Sequence, residues 1–133
     1  MTQENKELLL KDICARLPYG IKFPMMCWDE ETGETVRPVT LYSINKDGYC
    51  HVSEDDYSPS IDEIKQYLFP ISSMTDEQKD EYHNTCNIGL SRWGDESYYA
   101  TDESIDWLNA HHFDYRGLIE KGLALDATGL NIY

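Results

Sequence analysis

The side chains with the most reactive chemistry in this sequence lie close together near its C-terminal end. His111 and His112 are adjacent, and Asp114 and Arg116 follow shortly after them. An imidazole that a carboxylate orients can act as a general base, and a guanidinium can hold an anionic group. One hypothesis is therefore a small hydrolase-like enzyme that uses His111 or His112 together with Asp114 and Arg116.

The same tract also has a structural interpretation that needs no reaction. His111 and His112 follow a predicted helix, whose C-terminal end favours a charged imidazole. Asp114 is a suitable N-cap for a further helix. The aromatic residues predicted to fill the joint between these helices, and to contact a partner, are Trp107, Phe113 and Tyr115. We expect the joint to be the main role, because catalysis also needs a nucleophile geometry that the spacing does not supply.

Metal binding has a weaker basis in the sequence. His83 and Cys86 have an H-x-x-C spacing that could place two ligands on one face of a helix. A structural zinc site needs four ligands, usually supplied as two close pairs. No second pair of this kind occurs, and the four cysteines are isolated, without a C-x-x-C motif. The pattern therefore predicts neither a metal ion nor another cofactor.

Charge is the most unusual bulk property of the chain. Asp and Glu number 25 against 11 Lys and Arg, which gives a formal net charge of −14. Because such a field repels phosphate, we expect no direct binding of nucleic acid. Glu54, Asp55 and Asp56 form one acidic run, which lacks the spaced pattern of a calcium loop. We expect a solvated loop there, and a basic protein partner if the carboxylates are functional.

Length and composition predict one folded domain over residues 1–133. This length is typical of a single domain, and the 41% hydrophobic content suffices for a core. No apolar run of about 18 residues could cross a membrane, and the polar N-terminus lacks the features of a secretory signal. We therefore expect no membrane association, reduced cysteines and a cytoplasmic location.

The predicted fold class is α+β, and its first element is a helix over residues 2–17. Thr2 can serve as the N-cap. Leu9, Ile13 and Leu17 recur at helical spacing, so we expect this apolar stripe to face the core.

A small antiparallel sheet of three to five strands, which could curl into a partial barrel, is predicted next. Ile21, Phe23 and Met25 alternate with Lys22 and Pro24, and a turn at residues 45–48 ends in Gly48, which indicates a three-stranded meander over residues 20–53. Pro24 marks its first strand as an edge strand. Residues 61–71 fit either a helix or a strand, and we favour a helical turn followed by an extended piece at 67–71.

The C-terminal half is predicted to be helical. Thr75 and Gln78 form a capping box, and Gly122 is a natural residue to follow a helix. A Gly-containing connection is expected over residues 91–99. The predicted helices cover about residues 76–87, 102–110 and 115–121.

Three stretches of the chain resemble known sequences. They are residues 8–20 (LLLKDICARLPYG), 67–75 (YLFPISSMT) and 106–124 (DWLNAHHFDYRGLIEKGLA), about a third of the 133 residues. Together they resemble small uncharacterised proteins encoded by phages and mobile elements of Bacteroides-type gut bacteria. The resemblance implies a phage or prophage origin and a location in the bacterial host cytoplasm. It also implies action by binding, because small phage accessory proteins often bind host machinery.

These observations lead to one preferred function and one alternative. The preferred function is a non-enzymatic, acidic protein-interaction module, a phage-encoded modulator of a host or defence protein. The alternative is the hydrolase-like enzyme. A cleft that joins the histidines to Asp114 and Arg116 would favour the enzyme, whereas separated histidines beside a broad acidic or aromatic surface would favour the binding module.

Overall fold

The structure is a computed structural model that describes residues 2–31, 33–45, 47–52, 59–90, 92–94 and 96–133. Over these residues the chain has the predicted α+β class, with an N-terminal helix and small sheets. Its α-helices are α1 (Gln3–Arg16), α2 (Asp76–Thr85) and α3 (Asp102–Ala110). None of the described helices has the length and apolar character needed to cross a bilayer.

Helix α1 begins where the sequence predicts, and its buried face matches the predicted stripe only in part. The Thr2 side chain accepts a hydrogen bond from the Asn5 backbone N–H at 3.1 Å, which satisfies one of the free donors of the first turn. Leu9 and Ile13 are buried as expected, whereas Leu17 is only partly buried. The side chains buried on this helix are Leu9, Asp12, Ile13 and Arg16. Two charged residues therefore share the inner face.

The predicted three-stranded antiparallel meander is confirmed. It consists of β1 (Lys22–Asp29), β2 (Gly33–Ile44) and β3 (Cys50–Val52), in the spatial order β1-β2-β3. Pro24 lies on β1 at the edge of this sheet, as its missing N–H requires. Gly48 has a φ of 85° in the turn that leads to β3, a backbone conformation that glycine adopts without strain.

A second sheet joins distant parts of the chain. Its central strand β4 (Gln66–Pro70) lies between β7 (Phe113–Asp114) and β8 (Ala124–Asp126) and pairs with both in parallel. A short 3₁₀ turn at Ile61–Glu63 precedes β4, in agreement with the favoured interpretation of residues 61–71. The parallel pairing differs from the antiparallel sheet that was expected.

The prediction of a helical C-terminal half is wrong in two places. Residues 115–121 do not form an α-helix. The Leu123 N–H donates to the Leu118 carbonyl at 2.9 Å, and the Gly122 N–H donates to that of Ile119 at 3.1 Å. Gly122 has a φ of 73°. These hydrogen bonds and this φ are those that usually end an α-helix, but here they enclose only a single turn. The residues that the sequence predicts to start and to end a helix are both present, but they lie too close together for an α-helix to form between them.

The second error concerns the stretch that follows α2. Strands β5 (Asn87–Leu90) and β6 (Glu96–Tyr99) pair as an antiparallel hairpin where a helix end and an irregular connection were expected. The side chains described along β6 are all exposed. Because such strands have no buried face, they carry no alternation of apolar and polar residues that would reveal them.

The main core draws side chains from both ends of the chain. Leu9 of α1, Phe23 of β1 and Leu68 of β4 belong to one buried cluster, which also contains Leu118 and Leu123. A smaller cluster forms around Met74, Leu108 and Phe113, beneath α2 and α3. The C-terminal tract lies where these two clusters meet, because Phe113 and Leu118 belong to different ones.

Candidate functional site

His111 ends α3 and is exposed. Its Nδ1 lies 2.9 Å from the carbonyl oxygen of Trp107, and its ring stacks on the indole with a centroid distance of 4.0 Å. Both contacts belong to the last turn of the same helix. The imidazole is therefore held by its own helix rather than by a catalytic carboxylate.

His112 is the next residue, yet its surroundings are entirely different. It is 9% exposed, and its φ of 63° places its backbone in the left-handed region. Its ring stacks on Tyr133 with a centroid distance of 3.6 Å. Burial, reinforced by the positive charge of Arg16, lowers the pKa of His112 to about 4. A general base with this pKa is weak at neutral pH.

Asp114 uses both carboxylate oxygens within the backbone of the following turn. Its Oδ1 accepts a hydrogen bond from the Leu118 N–H, and its Oδ2 accepts one from the Ile119 N–H, both at 2.9 Å. The predicted capping role is therefore real, although the capped element is a single turn. This carboxylate orients no imidazole among the described hydrogen bonds.

Arg116 pairs with a carboxylate on the opposite end of the chain. Its Nη1 donates to Asp12 Oδ1 at 2.7 Å, and its guanidinium lies 4.6 Å from the centroid of the Tyr115 ring. An apolar-floored cleft of about 430 Å³ does adjoin the tract. Asp114 and Tyr115 line it, whereas His111, His112 and Arg116 do not. The four candidate catalytic side chains thus have separate partners.

The group that the structure does bring together is a buried ionic cluster around Asp12. Asp12 Oδ2 accepts from Arg16 Nε at 2.9 Å and from Gln66 Nε2 at 2.5 Å, while Oδ1 accepts from Arg116. Arg16 Nη2 also donates to the carbonyl oxygen of Phe113 at 2.5 Å. Asp12, Arg16 and Gln66 have no exposed surface. The cluster therefore fastens α1 to β4 and to the C-terminal tract.

The energetics of this cluster are those of a buried ion pair with one additional positive charge. One carboxylate faces two guanidinium groups, so removing it would leave buried cations without a counter-ion, at a cost of several kcal/mol. Three buried polar atoms have no hydrogen-bond partner among the described residues: Arg16 Nη1, Gln66 Oε1 and His112 Nδ1. The sequence carries one signal of this cluster, the i,i+4 spacing of Asp12 and Arg16 on the side of α1 that also bears Leu9 and Ile13.

Metal and thiol chemistry find little support in the described part of the chain. No three His, Cys, Asp or Glu side chains there are grouped so as to hold a metal ion. His83 stacks on Tyr98 at 3.9 Å, and the Cys86 thiol donates to the Tyr82 carbonyl. Cys14, Cys50 and Cys86 are free thiols. Burial raises the pKa of Cys50 to about 11, so that thiol is protonated at neutral pH.

Large apolar side chains stand exposed on the outer face of the β1–β2 hairpin. Met26 and Trp28 lie on the face of β1 opposite to the buried Phe23 and Met25, and Val36 lies opposite Met26 on β2. Their exposed fractions are 58%, 74% and 61%. Directly opposed residues of antiparallel strands share one face, so Met26 and Val36 form one patch that Trp28 extends along β1.

The β5–β6 hairpin exposes a second apolar surface. Among its described residues, Ile88 and Tyr98 are exposed and opposed on one face, Tyr99 is exposed on the other face, and Trp93 in the connecting turn is 81% exposed. Tyr98 of this hairpin stacks on His83 of α2, and a hydrogen bond of 2.7 Å from Thr101 Oγ1 to the Thr85 carbonyl joins the two helix ends that flank the hairpin. A two-stranded hairpin is marginally stable alone, so these contacts hold the aromatic surface in place.

The residues predicted to bind a partner have mixed positions. Phe113 is 2% exposed and packs inside the chain, while Trp107 and Tyr115 are half-buried beside it. A partner role for these aromatic residues stays a prediction. The acidic run Glu54, Asp55 and Asp56 lies outside the described residues. Sequence reasoning missed the surface on β1 and β2 because apolar residues on a strand are ordinarily assigned to the core, and it missed the second surface because the β5–β6 hairpin was not predicted.

Comparison with known proteins gives no relative. No family model matches the chain, and no curated protein and no solved structure matches it. Within the described part of the chain, the strongest contrast is between catalytic candidates that engage separate partners and apolar side chains that are exposed in two hairpins.

Proposed function

We propose that this protein is a non-enzymatic interaction module that binds a basic protein partner. The observation that carries the proposal is the exposure of Met26, Trp28 and Val36 on one hairpin, together with Trp93 on another. Exposed apolar patches of this kind mark interaction surfaces, and tryptophan is enriched at the residues that dominate binding energy.

Charge supports the choice of partner. The net charge of −14 surrounds these apolar side chains with a negative potential. Such a field accelerates encounter with a basic protein and opposes encounter with an acidic one. Complex formation should therefore weaken as salt is added, because the attraction acts over a distance of about 10 Å at ordinary ionic strength.

The resemblance of the sequence to phage and mobile-element proteins supports a narrower version of the proposal. On that basis the partner is a host or defence protein in the bacterial cytoplasm, and the module modulates it. The hydrolase-like alternative has no comparable geometric support, since its four side chains engage separate partners. It predicts that His111→Ala abolishes an enzymatic activity without changing the melting temperature.

The proposal is tested by affinity capture from a bacterial lysate followed by titration of the captured partner. We expect Trp28→Ala or Trp93→Ala to weaken binding roughly tenfold or more, because truncating an anchoring tryptophan removes a large contact area. Leu130→Ala is the matched control, since Leu130 is also exposed, at 53%, but lies outside both hairpins. Equal affinity for all three variants, or a partner that is acidic, would contradict the proposal.

A further inference from the structure

β1 has an outer edge that faces away from β2. β1 pairs with β2 without interruption from Lys22 to Asp29, and it is the edge strand of its sheet. Among the described residues, no strand pairs with its other edge. An unpaired strand edge presents N–H and C=O groups that can pair with another chain.

The hydrogen bonds at the start of β1 establish which backbone groups face outward. The Leu41 N–H donates to the Ile21 carbonyl at 2.9 Å, so the odd-numbered residues of β1 bond to β2. The Lys22 N–H instead donates to the Tyr133 hydroxyl at 3.1 Å, on the side away from β2. Because this alternation continues along the strand, the backbone groups of Pro24, Met26 and Trp28 also face outward.

The Tyr133 hydroxyl already occupies the first outward position. It accepts from Lys22 and donates to the carbonyl oxygen of Tyr67 at 2.9 Å, and so bridges β1 to β4. An added strand must therefore bond beyond this bridge. Pro24 offers only a carbonyl oxygen there, whereas Met26 and Trp28 each offer a donor and an acceptor.

A groove of about 490 Å³ runs beside this edge. Part of its wall consists of the consecutive β1 residues from Phe23 to Met26, and Pro59, Glu63 and Ile64 complete the lining. A wall made of consecutive strand residues is the edge of the strand rather than one of its faces, since side chains alternate between faces. The groove therefore follows this edge and adds side-chain contacts to the outward-facing backbone groups.

We infer that the outer edge of β1 accepts an extended, basic segment of the partner by strand addition. This inference rests on the proposed function and assigns it a site and a binding mode. Residues of the incoming strand that exchange hydrogen bonds with Met26 and Trp28 lie on the same face as these two exposed side chains. Those residues are apolar, and the intervening residues are Lys or Arg.

Charge selects this occupant over a second copy of the protein. The groove lining contributes the carboxylate of Glu63, and the turn of the hairpin contributes Glu30. Pairing two copies through β1 would bring two chains of net charge −14 together and place like charges beside each other. A basic segment would meet the same carboxylates with attraction.

The test uses a displayed random library of peptides of eight residues, the length of β1, selected on the whole protein. We expect the enriched peptides to alternate apolar residues with Lys or Arg. Synthetic versions should bind wild type and lose affinity roughly tenfold or more when alternate backbone amides are N-methylated, because strand addition uses backbone donors. Enriched peptides without this alternation, insensitivity to N-methylation, or no binding peptide at all would overturn the inference.

Met26→Pro and Val36→Pro form a matched pair of protein variants. Met26 and Val36 lie opposite each other, and their backbone N–H groups point away from each other. Each substitution therefore removes one N–H donor that does not take part in the hydrogen bonds between β1 and β2. We expect the peptides to lose affinity for Met26→Pro and to retain it for Val36→Pro, with both folds checked by circular dichroism. Should Met26→Pro fail to fold, the N-methylated peptides still decide the question.

The outcome also separates the inference from the proposed function. A captured basic partner that binds Met26→Pro as tightly as wild type, but loses affinity for Trp93→Ala, would overturn strand addition and leave the proposed function intact. Self-association of the protein that Met26→Pro abolishes would show that a second copy occupies the edge, and it would overturn the basic segment as the occupant.

Discussion

Two regions of the molecule distribute charged and apolar side chains in opposite ways. One is the joint between α1 and the C-terminal tract, and the other is the β1–β2 hairpin. At the joint, Asp12 and Arg16 are fully buried. On the hairpin, Trp28 is 74% exposed. Residue type alone would reverse both assignments. The difference shows that a charge can be buried when its partners are buried with it, and that an apolar side chain stays at the surface when no other element covers its face.

The largest expected effect comes from removing the carboxylate at the centre of the joint. Asp12→Ala leaves the buried guanidinium of Arg16 without its counter-ion and removes the anchor of Arg116. We expect a loss of about 3–5 kcal/mol in the free energy of unfolding, measured by chemical denaturation. Asp106→Ala, at an exposed position of α3, is the control and should change stability by no more than about 0.5 kcal/mol. Equal effects would mean that the joint is not stabilised by its charges.

The second effect is a dependence of stability on pH at the same joint. The unfolded chain protonates His112 near pH 6.5, whereas burial and Arg16 hold its folded pKa at about 4. Between these values the unfolded state binds more protons, so stability falls as the pH drops from about 6.5 to about 4. The expected loss approaches about 3 kcal/mol at the acidic end.

The control for this pH effect is a variant that cannot titrate. His112→Asn keeps a residue that tolerates the left-handed backbone conformation, with a φ of 63° at this position. Its unfolding free energy should change less between pH 6.5 and 5 than that of wild type. The same slope in both proteins would show that carboxylates, and not His112, cause the acid sensitivity.

A smaller effect is expected from the aromatic packing beside the ionic cluster. The Trp107 indole stacks on Phe113 with a centroid distance of 5.7 Å and on His111 at 4.0 Å, but it is only half-buried. Trp107→Ala should therefore cost about 2–3 kcal/mol, less than a fully buried tryptophan. A neutral substitution, measured by denaturation, would mean that the indole serves a partner rather than the joint.

The smallest effect on stability should occur on the exposed hairpin. Trp28→Ala should change the free energy of unfolding by no more than about 0.5 kcal/mol, since a side chain that is 74% exposed leaves little cavity behind. The same variant should weaken partner binding. A stability loss comparable with that of Trp107→Ala would show that the hairpin surface is part of the core, and the contrast between the two regions would fail.

Features with local causes could be predicted from the sequence. Thr2 caps α1, and Thr75 with Gln78 forms the expected capping box at the start of α2. Thr101 caps α3 in the same way. The meander from β1 to β3 was predictable because apolar residues alternate along the start of β1 and because Gly48 marks the turn that leads to β3. Each of these signals lies within a few residues of the structure that it specifies.

The sequence by itself thus determined where the caps, the turns and the longer strands occur, together with the acidic charge. Only the tertiary structure decided what each element buries. Gln66 and Arg116 reach Asp12 from 54 and 104 residues away along the chain. Strands β7 and β8, of two and three residues, exist because β4 lies between them. The physical reason is that hydrogen bonds to a buried charge and pairing of very short strands depend on contacts between distant segments, which no local pattern encodes.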